Sequence, residues 1–121
     1  MRESDFRVII AGSRTFNDYP KLKKIMDKLL ENKRKVRIVC GLARGADRLG
    51  EQYGKERHYD IDYYPADWDQ YGISAGYVRN AEMANNADAL VAFWDGESKG
   101  TKNMIELARK RNLQVRIINY E

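Results

Sequence analysis

Arginines, hydroxyl residues and glycines gather at a few points of this 121-residue chain, each just after a short apolar run. Gly12-Ser13-Arg14-Thr15 follows Phe6 to Ala11. Its glycine lets backbone approach a ligand closely, its hydroxyls donate or accept, and its guanidinium offers a fork of donors that matches phosphate. Gly41-Leu42-Ala43-Arg44-Gly45-Ala46-Asp47 follows Val36 to Cys40 and opens a helical pattern. Exposed N–H groups and the positive end of a helix dipole favour anions there, although the G-x-x-x-G spacing is neither a Walker loop nor a dinucleotide fingerprint. Trp94-Asp95-Gly96-Glu97-Ser98-Lys99-Gly100-Thr101 repeats the arrangement, and Arg79-Asn80 adds a cation and an amide at the start of another helical pattern. Recognition of phosphate and ribose oxygens is the chemistry these types serve. Plainer readings stand beside it: a tight turn with a solvent-facing Arg14, and Asp47 as a first-turn carboxylate complementing the dipole. Trp68, Tyr71 and Trp94 are suited either to stacking on a base or to packing in a core or interface.

Other chemistries find less support. The single histidine, His58, has no cysteine or second histidine nearby, so neither zinc nor a Ser-His-Asp triad is expected. Cys40 ends an apolar run and reads as a small buried hydrophobe rather than a nucleophile. Asp60, Asp62, Asp67 and Asp69 lack the glycine and terminal glutamate of an EF-hand loop and read as a solvated acidic stretch. No cofactor, metal site or catalytic residue is assigned.

The elements that must position these groups alternate. Phe6 to Ala11, Val36 to Cys40, Ile61 to Tyr64, Ala89 to Trp94 and Val115 to Ile118 read as strands. Between them lie helical patterns. Leu22, Ile25, Met26, Leu29 and Leu30 form one apolar stripe behind Pro20; further patterns cover Gly45 to Arg57, Tyr77 to Asn86 and Thr101 to Arg111. Ala66 to Gly76 reads as an unusually long connection. Five strands alternating with helices imply an α/β fold, a Rossmann-like three-layer sandwich with a mainly parallel five-stranded sheet. Ligands of such sheets bind beyond the carboxyl ends of the strands, where the glycines and arginines lie.

Composition fits one small domain spanning residues 1–121: 43% of residues are hydrophobic and 33% charged, and no apolar run approaches the roughly 20 residues of a membrane span. One cysteine allows no internal disulfide, and the run behind Met1-Arg2-Glu3-Ser4-Asp5 is too short for a signal peptide, so a cytoplasmic location is expected. The net charge of +4 is uneven: residues 1–58 hold 15 basic and 8 acidic side chains, residues 59–121 hold 7 and 10. The densest cluster, Lys21, Lys23, Lys24, Lys28 and Lys33-Arg34-Lys35, is either a nucleic-acid footprint or a solvated helix face; no aromatics interleave with it.

Ile9 to Phe16, Gly41 to Asp47, Pro65 to Gly72, Gly76 to Met83 and Ala89 to Thr101, taken in order, resemble the small YspA/YpsA-related branch of the SLOG superfamily. That superfamily includes the LOG-type phosphoribohydrolases and the DNA-processing proteins. The resemblance implies a Rossmann-like fold, a small nucleotide-derived ligand of the ADP-ribose or NAD-derived type, a bacterial or phage source and frequent dimers. Arg79-Asn80-Ala81-Glu82-Met83 is similar to the R-K-x-x-M segment of the LOG enzymes, and Gly100-Thr101 to the G-T of their P-G-G-x-G-T-x-x-E motif. The motif's glutamate position holds Met104, which can neither stabilise an oxocarbenium ion nor activate water.

The expectation is therefore a binding module. Its ligand-binding set is Gly12, Ser13, Arg14, Thr15, Gly41, Ala43, Arg44, Gly45, Asp47, Arg79, Asn80, Trp94, Asp95, Gly96, Ser98, Gly100 and Thr101. Backbone amides after Gly41 and Gly96 join Arg14, Arg44 and Arg79 on phosphates, while Ser13, Asp47 and Thr101 take ribose or phosphate oxygens. Two alternatives stay open: an N-glycosidase using Asp47, Asp95 or Glu97 in place of the lost glutamate, and a nucleic-acid binder using the Lys21 to Lys35 face. Exposed aromatics between Trp68 and Tyr77, with Tyr19, suggest a homo-oligomer.

Overall fold

A computed structural model describes residues 5–120, so the Met1 to Ser4 stretch lies outside the described residues. Five strands, β1 (Phe6–Gly12), β2 (Val36–Cys40), β3 (Asp60–Tyr63), β4 (Ala89–Trp94) and β5 (Gln114–Asn119), form one sheet in the order β3-β2-β1-β4-β5. Every pairing is parallel, with Val8 opposite both Ile38 and Ala89 and Gly12 opposite Phe93. The helices are α1 (Tyr19–Leu30), α2 (Ala46–Glu56), a four-residue α3 (Trp68–Tyr71), α4 (Ala75–Asn85) and α5 (Lys99–Lys110).

Alternation along β1 decides the layers, because neighbouring residues of a strand face opposite sides of the sheet. Val8 and Ile10 enter one core with Leu22, Met26 and Leu30 of α1 and Tyr53 of α2. Ile9 and Ala11 enter the other with Met83 and Ala84 of α4 and Met104, Ile105 and Ala108 of α5. Both faces of the sheet are therefore apolar, as a central parallel strand requires.

Local signals start the helices. The Asp18 carboxylate accepts from the Lys21 amide at 3.1 Å ahead of Pro20, and Ser98 Oγ accepts from the Thr101 amide at 3.3 Å. Two glycines of α2 are demanded by packing. A Cβ at Gly50 would sit 2.8 Å from Ile10 and one at Gly54 2.9 Å from Ile38, so these glycines let α2 lie directly on the sheet.

Three sequence readings are corrected. The connection from Ala66 to Gly76 is not plain loop: Asp67 accepts from the Gln70 amide and starts α3, which runs into a 3-10 turn at Gly72–Ser74. Asp60 and Asp62 belong to β3 rather than to a solvated loop, and both pair with Arg37 of β2, at 3.2 and 2.7 Å. Tyr19 is half-buried against the first core and donates to Glu56, so it belongs to this chain's own packing. Among the described residues no helix is long and apolar enough to cross a membrane.

Candidate functional site

Strand order turns at β1: the chain moves outward through β2 and β3, then returns to place β4 on the other side of β1. Loops after β1, β2 and β4 diverge there and leave a crevice at their carboxyl ends. A cleft of about 530 Å³ occupies this end of the molecule, large enough for a nucleotide. It continues into an inner chamber of about 100 Å³; Arg14, Ala43, Arg79, Asn80 and Gly100 line both.

Glycines bring the walls together. At Gly12 a Cβ would strike the Phe93 carbonyl and lie 2.9 Å from Ala46, so β1, β4 and α2 meet there. Gly45, at φ +78°, precedes α2 where a Cβ would strike the backbone of Ser13 and Arg14. Gly41 is confined on its Cβ side, where a methyl would sit 2.8 Å from Asp47 Oδ2 and 2.9 Å from Arg79 Nη1. Arg79 Nη1 donates to the Gly41 carbonyl and Nε donates to Asn80 Oδ1 at 3.0 Å. Asn80 Nδ2 in turn donates to Asn103 Oδ1 at 3.0 Å, tying α4 to α5. One network thus fixes the loop after β2 against α4 and α5. Leu42, in that loop and on the cleft wall, takes the left-handed φ of +64°, a conformation costly for a residue with a Cβ.

Electrostatics divide the site into a buried interior and a cationic mouth. Asp47 is 5% exposed and lines the inner chamber. Burial pushes its carboxyl up to about 6, against the opposing pull of Arg79 and the amides of Ala43 and Gly12. Arg14 and Arg44 are exposed on the cleft wall, and among the described residues neither makes an ion pair or a side-chain hydrogen bond. Many other cations are paired: Arg37 with Asp5, Asp60 and Asp62, Arg57 with Asp27, Lys23 with Glu56, Lys35 with Asp5. Arg14 and Arg44 thus give the cleft mouth positive charge without an ion-pair partner, an arrangement suited to an incoming anion, whereas Arg79 lies beside Asp47.

Residues 6–71, more than half of the chain, match the family described as "YAcAr: YspA, cpYpsA-related SLOG family". The chain belongs to that SLOG family. It is 32% identical over 116 residues to the Gene 61 protein of Mycobacterium phage D29, an alignment covering 90% of this chain and 93% of the phage protein. The fold is shared with DNA processing protein A (DprA) of Streptococcus pneumoniae, at TM-score 0.76 and 17% identity over 97% of this chain. It is also shared with DNA processing protein A of Helicobacter pylori, at TM-score 0.67 and 18% identity over 96% of this chain; that structure is described as showing a single-stranded DNA binding mode. The SLOG chain spans about half the length of the S. pneumoniae protein, 51%, and 66% of the H. pylori one.

Within this SLOG fold the residues singled out from sequence separate into two groups. Gly12, Arg14, Gly41, Ala43, Arg44, Asp47, Arg79, Asn80, Ser98, Gly100 and Thr101 line the cleft or its chamber. The other six line neither. Ser13 is buried, accepting from the Asp95 amide at 3.1 Å and donating its own amide to the Phe93 carbonyl at 2.9 Å. Thr15 meets the Tyr120 hydroxyl at 2.9 Å, and Trp94 Nε1 donates to the Ser98 carbonyl at 3.1 Å. Asp95 Oδ1 accepts the amides of Glu97 and Ser98 at 2.9 and 2.8 Å, so two amides expected to hold phosphate after Gly96 serve their own loop. Gly45 and Gly96 shape their turns, at φ +78° and +84°.

The LOG-motif glutamate position, Met104, is 1% exposed and walls the chamber with Met83. Of the carboxylates offered in its place, Asp95 is engaged by its loop, Glu97 is exposed on that loop, and Asp47 faces the chamber. Burial raises the Cys40 thiol to about 11, consistent with an inert packed side chain. The sequence reading missed Leu42, Pro65, Ala66, Ile73, Gly76 and Tyr77 as cleft residues. For all but Leu42, which lies in the loop after β2, the signal was the length of the connection after β3.

Proposed function

We propose that this SLOG chain binds a phosphate-containing nucleotide or nucleotide-derived molecule, of the ADP-ribose or NAD-derived class, in the cleft, to sense or sequester it. The observation that carries this reading is the convergence of Arg14, Arg44 and Arg79 on a nucleotide-sized cleft. Guanidinium groups match phosphate geometry. The chamber behind, with Asn80, Thr101 and Asp47, supplies polar partners for ribose hydroxyls.

Titration calorimetry with AMP, ADP-ribose and NAD tests the proposal. At least one binds below about 1 mM, equivalent to about 4 kcal/mol. Arg14→Ala and Arg44→Ala each weaken that binding about tenfold, the lower end of a charge-assisted hydrogen bond. Absence of binding below that limit for all three overturns it.

A second reading is favoured by the fold shared with a protein that binds single-stranded DNA and by the aromatics Trp68 and Tyr77 beside the arginines. A single-stranded nucleic-acid end would then enter the same cleft. Oligothymidylates that displace AMP with affinity rising with length support it; displacement that stops at one or two nucleotides supports the small ligand.

A further inference from the structure

Two helical glycines of this chain have no folding reason. A Cβ at Gly76, in the first turn of α4, would meet nothing nearer than 3.9 Å, and one at Gly100, in the first turn of α5, would meet nothing within 4 Å. Neither takes a positive φ. Glycine within a helix costs up to about 1 kcal/mol relative to alanine. Gly50 and Gly54 of α2 are explained by contact with Ile10 and Ile38, whereas a Cβ would fit without clash at Gly76 and would meet open space at Gly100, and both line the cleft. Space kept bare at two points of one cavity is space for a ligand.

The surroundings of Gly76 identify the part of the ligand that fits. Its missing Cβ would be 3.9 Å from Trp68 Cη2 and 3.9 Å from Arg79 Nη2, so bare backbone separates an indole from a guanidinium. Trp68 is 57% exposed and Ile73 94% exposed, and Tyr77 completes an apolar rim on this side of the cleft. Arg14 and Arg44 line the same cleft, and among the described residues neither has an ion-pair partner. A cleft lined by both aromatic and cationic side chains matches a molecule flat and apolar at one end and anionic at the other.

We propose that the Trp68–Gly76–Tyr77 wall is a slot for the heterocyclic base of the ligand, which stacks on the Trp68 indole above Gly76 while its phosphates lie on Arg14, Arg44 and Arg79. The proposal rests on the nucleotide reading above and adds that the base is a recognised part of the ligand. Base–aromatic stacking tolerates any planar ring, so the slot selects for a base and discriminates weakly among bases.

Calorimetry with AMP and with ribose 5-phosphate, which carries the anion without the base, separates the two claims. AMP binds at least tenfold tighter than ribose 5-phosphate. Trp68→Ala weakens AMP about tenfold and leaves ribose 5-phosphate unchanged, a size typical of lost stacking. Gly76→Leu also weakens AMP, because its side chain fills the slot without entering either core. Both variants alter exposed or open positions, and unchanged thermal melting confirms that they fold. AMP quenches the Trp68 fluorescence, read as signal present in a Trp94→Phe background and absent in Trp68→Phe. Equal binding of AMP and ribose 5-phosphate, unaffected by Trp68→Ala and Gly76→Leu, overturns the base slot and leaves the arginine site standing. Failure of both probes to bind overturns the slot together with the reading it rests on.

Discussion

Asp47 shows how a residue can look like a ligand contact and also carry structure. Its carboxylate takes the Ala43 amide at 3.4 Å and lies beside Gly41 and Arg79, so it holds the loop after β2 whether or not a ligand is bound. Burial raises its pKa to about 6 from the ordinary 3.8. Between those values the native state holds a proton that the unfolded chain has released, so this group's stabilising contribution falls as pH rises. The contribution is fully present below about pH 4 and lost as pH passes through 6, an amount on the order of 3 kcal/mol. Asp47→Asn removes that dependence. Urea unfolding of both proteins at pH 4.5 and pH 8 checks it: relative to wild type, the variant gains about 2 kcal/mol on going to pH 8. A difference that is the same at both pH values means that Asp47 does not titrate in this range. Asp27, Glu51 and Asp62, whose values are lowered by hydrogen bonds or charge from basic and hydroxyl partners, act in the opposite sense but are common to both proteins.

The elements were legible where one residue type has one dominant use. Val, Ile and Leu in short runs stopped by glycine gave five strands, and the α1 stripe of Leu22, Met26 and Leu30 gave a helix with its buried face. A residue type with two uses is less legible. Ser13, Thr15 and Asp95 are residue types expected at a phosphate site and also types that tie turns together, and their side chains make such structural hydrogen bonds. Asp60 and Asp62 looked solvated because their partner, Arg37, is set by the register between β2 and β3, which no local pattern reveals. The four-residue α3 was too short for periodicity, although Asp67 three residues before Gln70 was a readable cap. Ser98 offers a test at this scale, since it caps α5 through the Thr101 amide and lines the chamber. Ser98→Ala lowers stability by about 1 kcal/mol, the usual loss of a capping side chain. Denaturant titration gives the stability, and the AMP affinity of the same variant falls because the start of α5 frays beside Gly100. Loss of stability with unchanged affinity means that the ligand does not reach α5.

Across the whole molecule, two groups of basic residues stand at opposite ends of the sheet. Lys33 and Lys35 stand just before β2, at the amino ends of the strands, with Lys33 over the Phe6 ring at 4.3 Å and Lys35 3.5 Å from Asp5. Arg14, Arg44 and Arg79 line the cleft at the carboxyl ends. A small ligand in the cleft cannot touch both groups, whereas a polymer wrapping the molecule can. Replacing Lys33 and Lys35 together by alanine therefore leaves AMP affinity within about twofold, because screening at 0.15 M salt confines charge effects to about 8 Å. Salt sharpens the distinction. A protein neutralising six to ten phosphates of a nucleic acid loses about 10³- to 10⁵-fold in affinity between 50 and 200 mM salt, as condensed counterions are released. A mononucleotide carries no such counterion atmosphere, and three arginines holding its phosphate lose only a few-fold over the same range. Calorimetry of AMP at both salt concentrations, beside gel shifts of a single-stranded oligonucleotide with wild type and the double lysine variant, reads the outcome. A shallow AMP response with weak shifts that vanish in the lysine variant places function in the cleft. Steep, lysine-dependent oligonucleotide binding that outcompetes AMP instead makes the polymer the ligand and both ends of the sheet its track.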